Sequence, residues 1–145
     1  MKILNDVAPT SSVFSLGASN PSNANQDIAY CFHSVEGYSK VGSYTGNGSA
    51  DGPFIYTGFR PAWIMIKNLA SGENWQIHDS VRDPDNVVTQ RLYANTSGAD
   101  VTSTFMDFVS NGVKCRNYSG GFNSSGATFI YLAFAEQPFK FANAR

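Results

Sequence analysis

The sequence predicts an all-β domain, a two-sheet antiparallel sandwich or jelly roll, on three observations. Apolar residues recur with period two in short runs. Clusters of Gly, Asn, Ser and Pro bound those runs. No stretch of ten or more residues carries a 3.6-residue period. Nine or ten short strands at close spacing fit two packed sheets better than any helical architecture.

The elements follow in order. The first eleven residues, polar and broken by Pro9, read as an N-terminal arm, and residues 12–145 as one domain. Ser12 to Leu16 is a short strand, 17–26 a loop, and Ile28 to Ser34 an alternating strand. Gly42 to Tyr44 is a short strand. Asn47-Gly48 and Asp51-Gly52 mark turns before a run from Phe54 to Phe59. Ala62 to Asn68 is apolar on both faces, Ile64 and Ile66 on one and Trp63 and Met65 on the other. That predicts a central strand covered on both sides. Trp75 to Asp79 and Val87 to Tyr93 follow. Thr104 to Val109 and Val113 to Tyr118 form a hairpin around Asn111-Gly112, and Thr128 to Ala135 is a long apolar strand.

Charged residues are 14% of the chain, against about 25% in an ordinary soluble domain. Ser, Asn, Thr and Gly must therefore supply the surface. The net charge of −1 and scattered Lys and Arg provide no basic stripe for nucleic acid. No run approaches a membrane helix, and Met1 to Asp6 is too short for a signal-peptide core. Cys31 and Cys115 form no metal or redox motif, and two buried free thiols are expected.

Chemistry leaves few traces. The only histidines, His33 and His78, are too few for a zinc site; each is expected to cap a strand or bond a neighbour. Asp83, Asp85 and Asn86 share one loop and are weak calcium candidates, although such residues also make turns. Asp79 and Asp107 could serve a glycosidase. An ion pair of Asp107 with Arg82 or Arg91 is the plainer expectation. No nucleophile elbow or phosphate loop is present. No catalytic residue, metal or cofactor is therefore assigned. Among the aromatics, Tyr38, Tyr44, Trp75 and Tyr118 are the candidates for stacking on a ligand such as a sugar. The Asn-x-Ser/Thr matches at Asn47, Asn95, Asn117 and Asn123 are expected by chance in such a chain.

The stretch from Ala29 to Phe54, the segment Gly58-Phe59-Arg60-Pro61-Ala62-Trp63 and the ending Tyr131 to Lys140 are distinctive. Together they resemble a domain at the C-terminal ends of large tail and other virion proteins of marine and aquatic tailed bacteriophages. The resemblance implies a lectin-type or concanavalin-like sandwich and no catalytic residues. It implies a virion protein, made in the host cytoplasm and released by lysis, that docks to other virion proteins. A tail-fibre or receptor-binding role on host-surface glycans, as a homo-oligomer with a trimer favoured, is the first expectation. A capsid decoration or assembly protein without ligand is the second, and a glycan-degrading enzyme the third. Relatives of this kind often carry a long upstream region, and only about ten residues precede the domain here. A stand-alone protein and an excised fragment both fit, with the arm and the tail residues Phe139, Phe141 and Arg145 free to reach neighbours.

Overall fold

A computed structural model describes residues 8, 10–15, 29–70 and 72–137. The expected loop over 17–26, most of the arm, and Phe139, Phe141 and Arg145 lie outside them. The chain divides into two compact units, Met1–Cys31 and Phe32–Arg145. In the first, the Thr10 hydroxyl accepts from the Ser12 and Val13 amides at 3.2 and 3.1 Å and so forms a turn. The Cys31 thiol is free and exposed, not buried as expected.

The second unit is all β apart from one short helical turn. Its strands are β1 (Ser39–Thr45), β2 (Phe54–Tyr56), β3 (Pro61–Asn68), β4 (Gln76–Asp79), β5 (Val88–Tyr93), β6 (Val101–Val109), β7 (Gly112–Cys115) and β8 (Thr128–Ala135). The turn α1 spans Gly120–Asn123. All pairings are antiparallel, and the order β1-β8-β3-β4-β5-β6-β7-β2 makes one sheet of eight strands nearly closed into a barrel. No helix among the described residues is long and apolar enough to cross a membrane.

Period-two alternation sorts the side chains. Ile64 and Ile66 of β3 share the inner face with Ala133 and Tyr131 of β8 and with His78 and Gln76 of β4. The core adds Phe105, Met106 and Phe108 from β6, Val113 and Cys115 from β7, Ile55 from β2 and Phe122 from α1. The β5–β6 pairing shifts register between Val88 and Gln90. Beside that step the sequence neighbours Phe105 and Met106 are both buried, as a bulge allows. Gly42 in β1 has a packing reason: a Cβ there would lie 2.8–2.9 Å from the Tyr131 ring.

β3 was expected to be covered on both sides; its inner face is buried, while Trp63 and Met65 leave the outer face half-buried, and that outer face has continuity. Val41, Leu132, Met65, Ile77 and Leu92 stand in register across five adjacent strands. Trp63, on this outer face rather than in the core, packs on Phe134 at 5.7 Å.

Two predicted strands are absent. Residues 11–15 and 29–34 are not strands. In the second case the Ser34 hydroxyl accepts from the Val41 amide at 3.0 Å and donates to its carbonyl at 3.3 Å. A side chain thus takes the place of a backbone ladder along β1. Only an isolated bridge, Val35 to Ser39, continues it.

Tyr44 faces inward from β1 and donates to the Phe122 carbonyl at 2.5 Å. Burial, and then the neighbouring Cys115, hold its pKa well above the usual value. Tyr44→Phe should cost about 1–2 kcal/mol, because the buried carbonyl loses its donor. A shifted urea midpoint at unchanged slope is the check.

Candidate functional site

β1 and β2 end the strand order and do not pair, so the barrel has a seam. A cleft of about 420 Å³ opens there, lined by Ser34, Glu36, Ser39, Lys40, Tyr56 and Thr57 among others. Most of the hydroxyls are already engaged. Ser34 holds Val41, Ser39 donates to the His33 carbonyl at 3.0 Å, and Thr57 donates to the Phe59 carbonyl at 2.5 Å. The Lys40 ammonium and the Glu36 carboxylate bring charges of opposite sign, and the Tyr56 ring brings an apolar face.

β2 borders this cleft with an open edge. The Cys115 amide donates to the Pro53 carbonyl, Ile55 stands opposite Val113, and the Thr57 amide donates to the Asn111 carbonyl. In an antiparallel pair the intervening residues turn their backbone groups the other way. Phe54 and Tyr56 therefore face the seam, where the Tyr56 carbonyl accepts from the Tyr131 hydroxyl at 3.3 Å.

The β2 side chains alternate out, in, out. Ile55 is buried, while Phe54 is 46% and Tyr56 62% exposed. Each ring lies beside a glycine. A Cβ on Gly112 would come within 2.7 Å of Phe54 Cζ, so that ring lies across the bare backbone of β7. A Cβ on Gly58 would touch the Tyr56 ring at 3.7–3.9 Å. The result is a two-ring floor open to solvent. Lys114, which stands opposite Phe54 in β7, is bound to Asp51 at 2.6 Å and to the Gly52 carbonyl at 2.5 Å.

The four aromatic candidates from the sequence do not form this site. Tyr38 sits in the turn at one rim of the cleft, its ring edge-on to Phe134 at 5.8 Å. Tyr44 is half-buried: its ring stacks on Phe129 at 5.0 Å against the core, and its hydroxyl is engaged by the Phe122 carbonyl. Trp75 is half-buried, its backbone exchanging bonds with Asn95 and Ala94. Tyr118 is 70% exposed in the connection between β7 and α1. Among the described residues no ring contact joins any two of the four. Phe54 and Tyr56 were readable from Phe54-Ile55-Tyr56 between Pro53 and Gly58, where a short strand can bury only its middle residue.

Two of the three calcium candidates have other partners. One Asp83 oxygen accepts from the Thr89 amide and hydroxyl and the Gln90 amide. Burial raises the Asp83 pKa, but these bonds outweigh it and lower the pKa below the usual value. Asn86 donates to the Phe108 carbonyl and accepts from the Phe108 amide, both at 2.9 Å, and so extends the β6 ladder. Asp85 is exposed. No group of three or more His, Cys, Asp or Glu among the described residues could hold a metal ion.

Both glycosidase candidates are ion-paired, Asp79 with Arg82 and Asp107 with Arg116, each at 2.5 Å. Arg116 takes the place expected of Arg82 or Arg91. Both histidines bond neighbours, His33 the Ser34 carbonyl at 3.0 Å and His78 the Gln90 carbonyl at 3.1 Å. The Cys115 thiol is buried and free, and burial pushes its pKa up to about 12.

One family profile matches the chain, described as a domain of unknown function (DUF7483), over residues 1–138. Neither the curated proteins nor the solved structures include a match.

Proposed function

We propose that this chain, which belongs to the DUF7483 family, is a recognition module of a phage particle that binds host-surface glycans and performs no chemistry on them. The observation that carries the proposal is the floor of Phe54 and Tyr56 beside the open seam cleft. An aromatic ring offers the flat apolar face that the C–H side of a sugar covers. Lys40 can donate to sugar oxygens, and Glu36 can accept from sugar hydroxyls. The ion pairs that hold Asp79 and Asp107 support binding over hydrolysis.

The same proposal takes the sheet as a jelly roll or concanavalin-like sandwich with one side joined. In support, Tyr44 of β1 lies beside Cys115 of β7, and Tyr131 of β8 reaches Tyr56 of β2. It places the protein in the virion as a homo-oligomer, with a trimer favoured, so that weak sites gain avidity by repetition. Nucleic acid and membrane insertion form no part of it.

A glycan array probed with the purified chain tests the idea. Defined binding, weakened about tenfold or more by Tyr56→Ala, is the expected result. An array without a hit contradicts it.

A second reading, an assembly protein without ligand, is favoured by the apolar row from Val41 to Leu92, which could seat a neighbouring virion protein. Under that reading Met65→Asp would abolish incorporation into particles and Tyr56→Ala would not.

A further inference from the structure

We infer that the ligand of the β2 face is an extended, uncharged polysaccharide held over at least two consecutive sugar units, an inference that rests on the glycan reading above. Phe54 and Tyr56 project from the same side of one strand, and residues two apart along a strand are about 6.7 Å apart. Two separate rings in line favour a chain over a single sugar, which covers only one of them. Gly112 leaves the Phe54 ring backed by main chain, and no side chain stands opposite Tyr56 in β7, because its partner there is the same glycine. Lys114 stands opposite Phe54 but is held by Asp51 and the Gly52 carbonyl, and the floor leads into the seam cleft.

The charges along this path balance. Lys114 is neutralised by Asp51, and Lys40 shares the cleft with Glu36. A nucleic acid would also stack on two rings, but its affinity depends on cations placed against successive phosphates. A polyuronate has the same requirement. Among the described residues nothing along the path supplies such a row.

Calorimetry on the whole chain tests this, with two neutral length series, cello-oligosaccharides and chito-oligosaccharides of one to six units. Oligogalacturonate and a thymidine oligonucleotide of matching length serve as charged probes. The affinity for at least one neutral series should rise roughly tenfold on adding the second unit. Phe54→Ala and Tyr56→Ala should each remove that gain while the chain stays folded, with the larger fall in urea midpoint at Phe54, whose ring packs on Gly112. Equal affinity for one and three units, a gain that survives both substitutions, or no binding by either series overturns the inference. Tighter binding of a charged probe overturns the uncharged class. An array without any glycan hit defeats the glycan reading itself, so the two failures are distinguishable.

Discussion

Asn123→Ala lowers the stability of the β unit by about 3 kcal/mol, as three part-buried hydrogen bonds of a fully buried side chain disappear together. Asn123 is fully buried at the end of α1. Its side-chain oxygen accepts from the Asn47 amide at 2.9 Å, and its amide donates to the Ser49 and Asn117 carbonyls, both at 2.8 Å. One side chain thus ties the loop after β1 to the loop after β7. Alanine leaves one backbone donor and two acceptors without that partner, and removes packing against Gly52, whose Cβ position lies 2.8 Å from the Asn123 amide. Asn47→Ala is the comparison, since it removes two bonds between exposed groups, to the Asp51 carbonyl and from the Ser49 amide, and costs at most about 1 kcal/mol. Urea unfolding of the two variants side by side is the check; equal losses would mean that Asn123 is not the tie.

Acid should destabilise the protein before its carboxylates titrate. His78 is fully buried in β4, 5.0 Å from Phe105 and 6.3 Å from Phe122. Burial is the main cause that drives its pKa from 6.5 to about 3. The bond to the Gln90 carbonyl opposes the shift, Arg91 and Arg82 add to it, and Asp79 again opposes it. The folded state therefore keeps His78 neutral while the unfolded chain takes up a proton below 6.5. The stabilisation is fully present above that pH and is lost as pH falls towards 3. The loss is about 2 kcal/mol at pH 5 and about 3 kcal/mol at pH 4. Asp79 and Asp83, whose pKa values are lowered from 3.8, lose their contributions only below that range. Urea midpoints at pH 7 and pH 5 should differ for the native chain and converge in His78→Gln, which keeps a neutral donor. An unchanged pH slope in the variant would exclude His78 as the cause.

Local pattern was enough for much of this fold. β8 spans the predicted residues, and β3 begins one residue early. Alternation and turn dipeptides are local signals, and these strands obey them. The run from Ile28 to Ser34 alternates equally well, yet residues 29–34 form no strand, because the Ser34 hydroxyl satisfies Val41 in place of a backbone partner. The first three residues of β6, Val101 to Ser103, were missed because Thr102 and Ser103 are polar and exposed. The continuous strand order depends on pairings such as β1 with β8 and β2 with β7, which link residues far apart in the chain and leave no local mark.

The site was legible only in part. Of the tyrosines read as ligand candidates, Tyr38 and Tyr118 are exposed and Tyr44 is not, since in a strand the face decides exposure. Tyr44 in β1 points into the core, while Tyr56 in β2 points out. Asp107 was rightly expected to be paired, but its partner lies on the strand-end residue Arg116, which only the β6–β7 register brings near.

Amide chemical shifts recorded while the strongest array glycan is titrated into the labelled chain test the central claim most directly. Changes should concentrate at residues 34–40, 54–58 and 112–114 around the rings of Phe54 and Tyr56. Changes confined to the row of Val41, Leu132, Met65, Ile77 and Leu92, or no changes at saturating glycan, would contradict it.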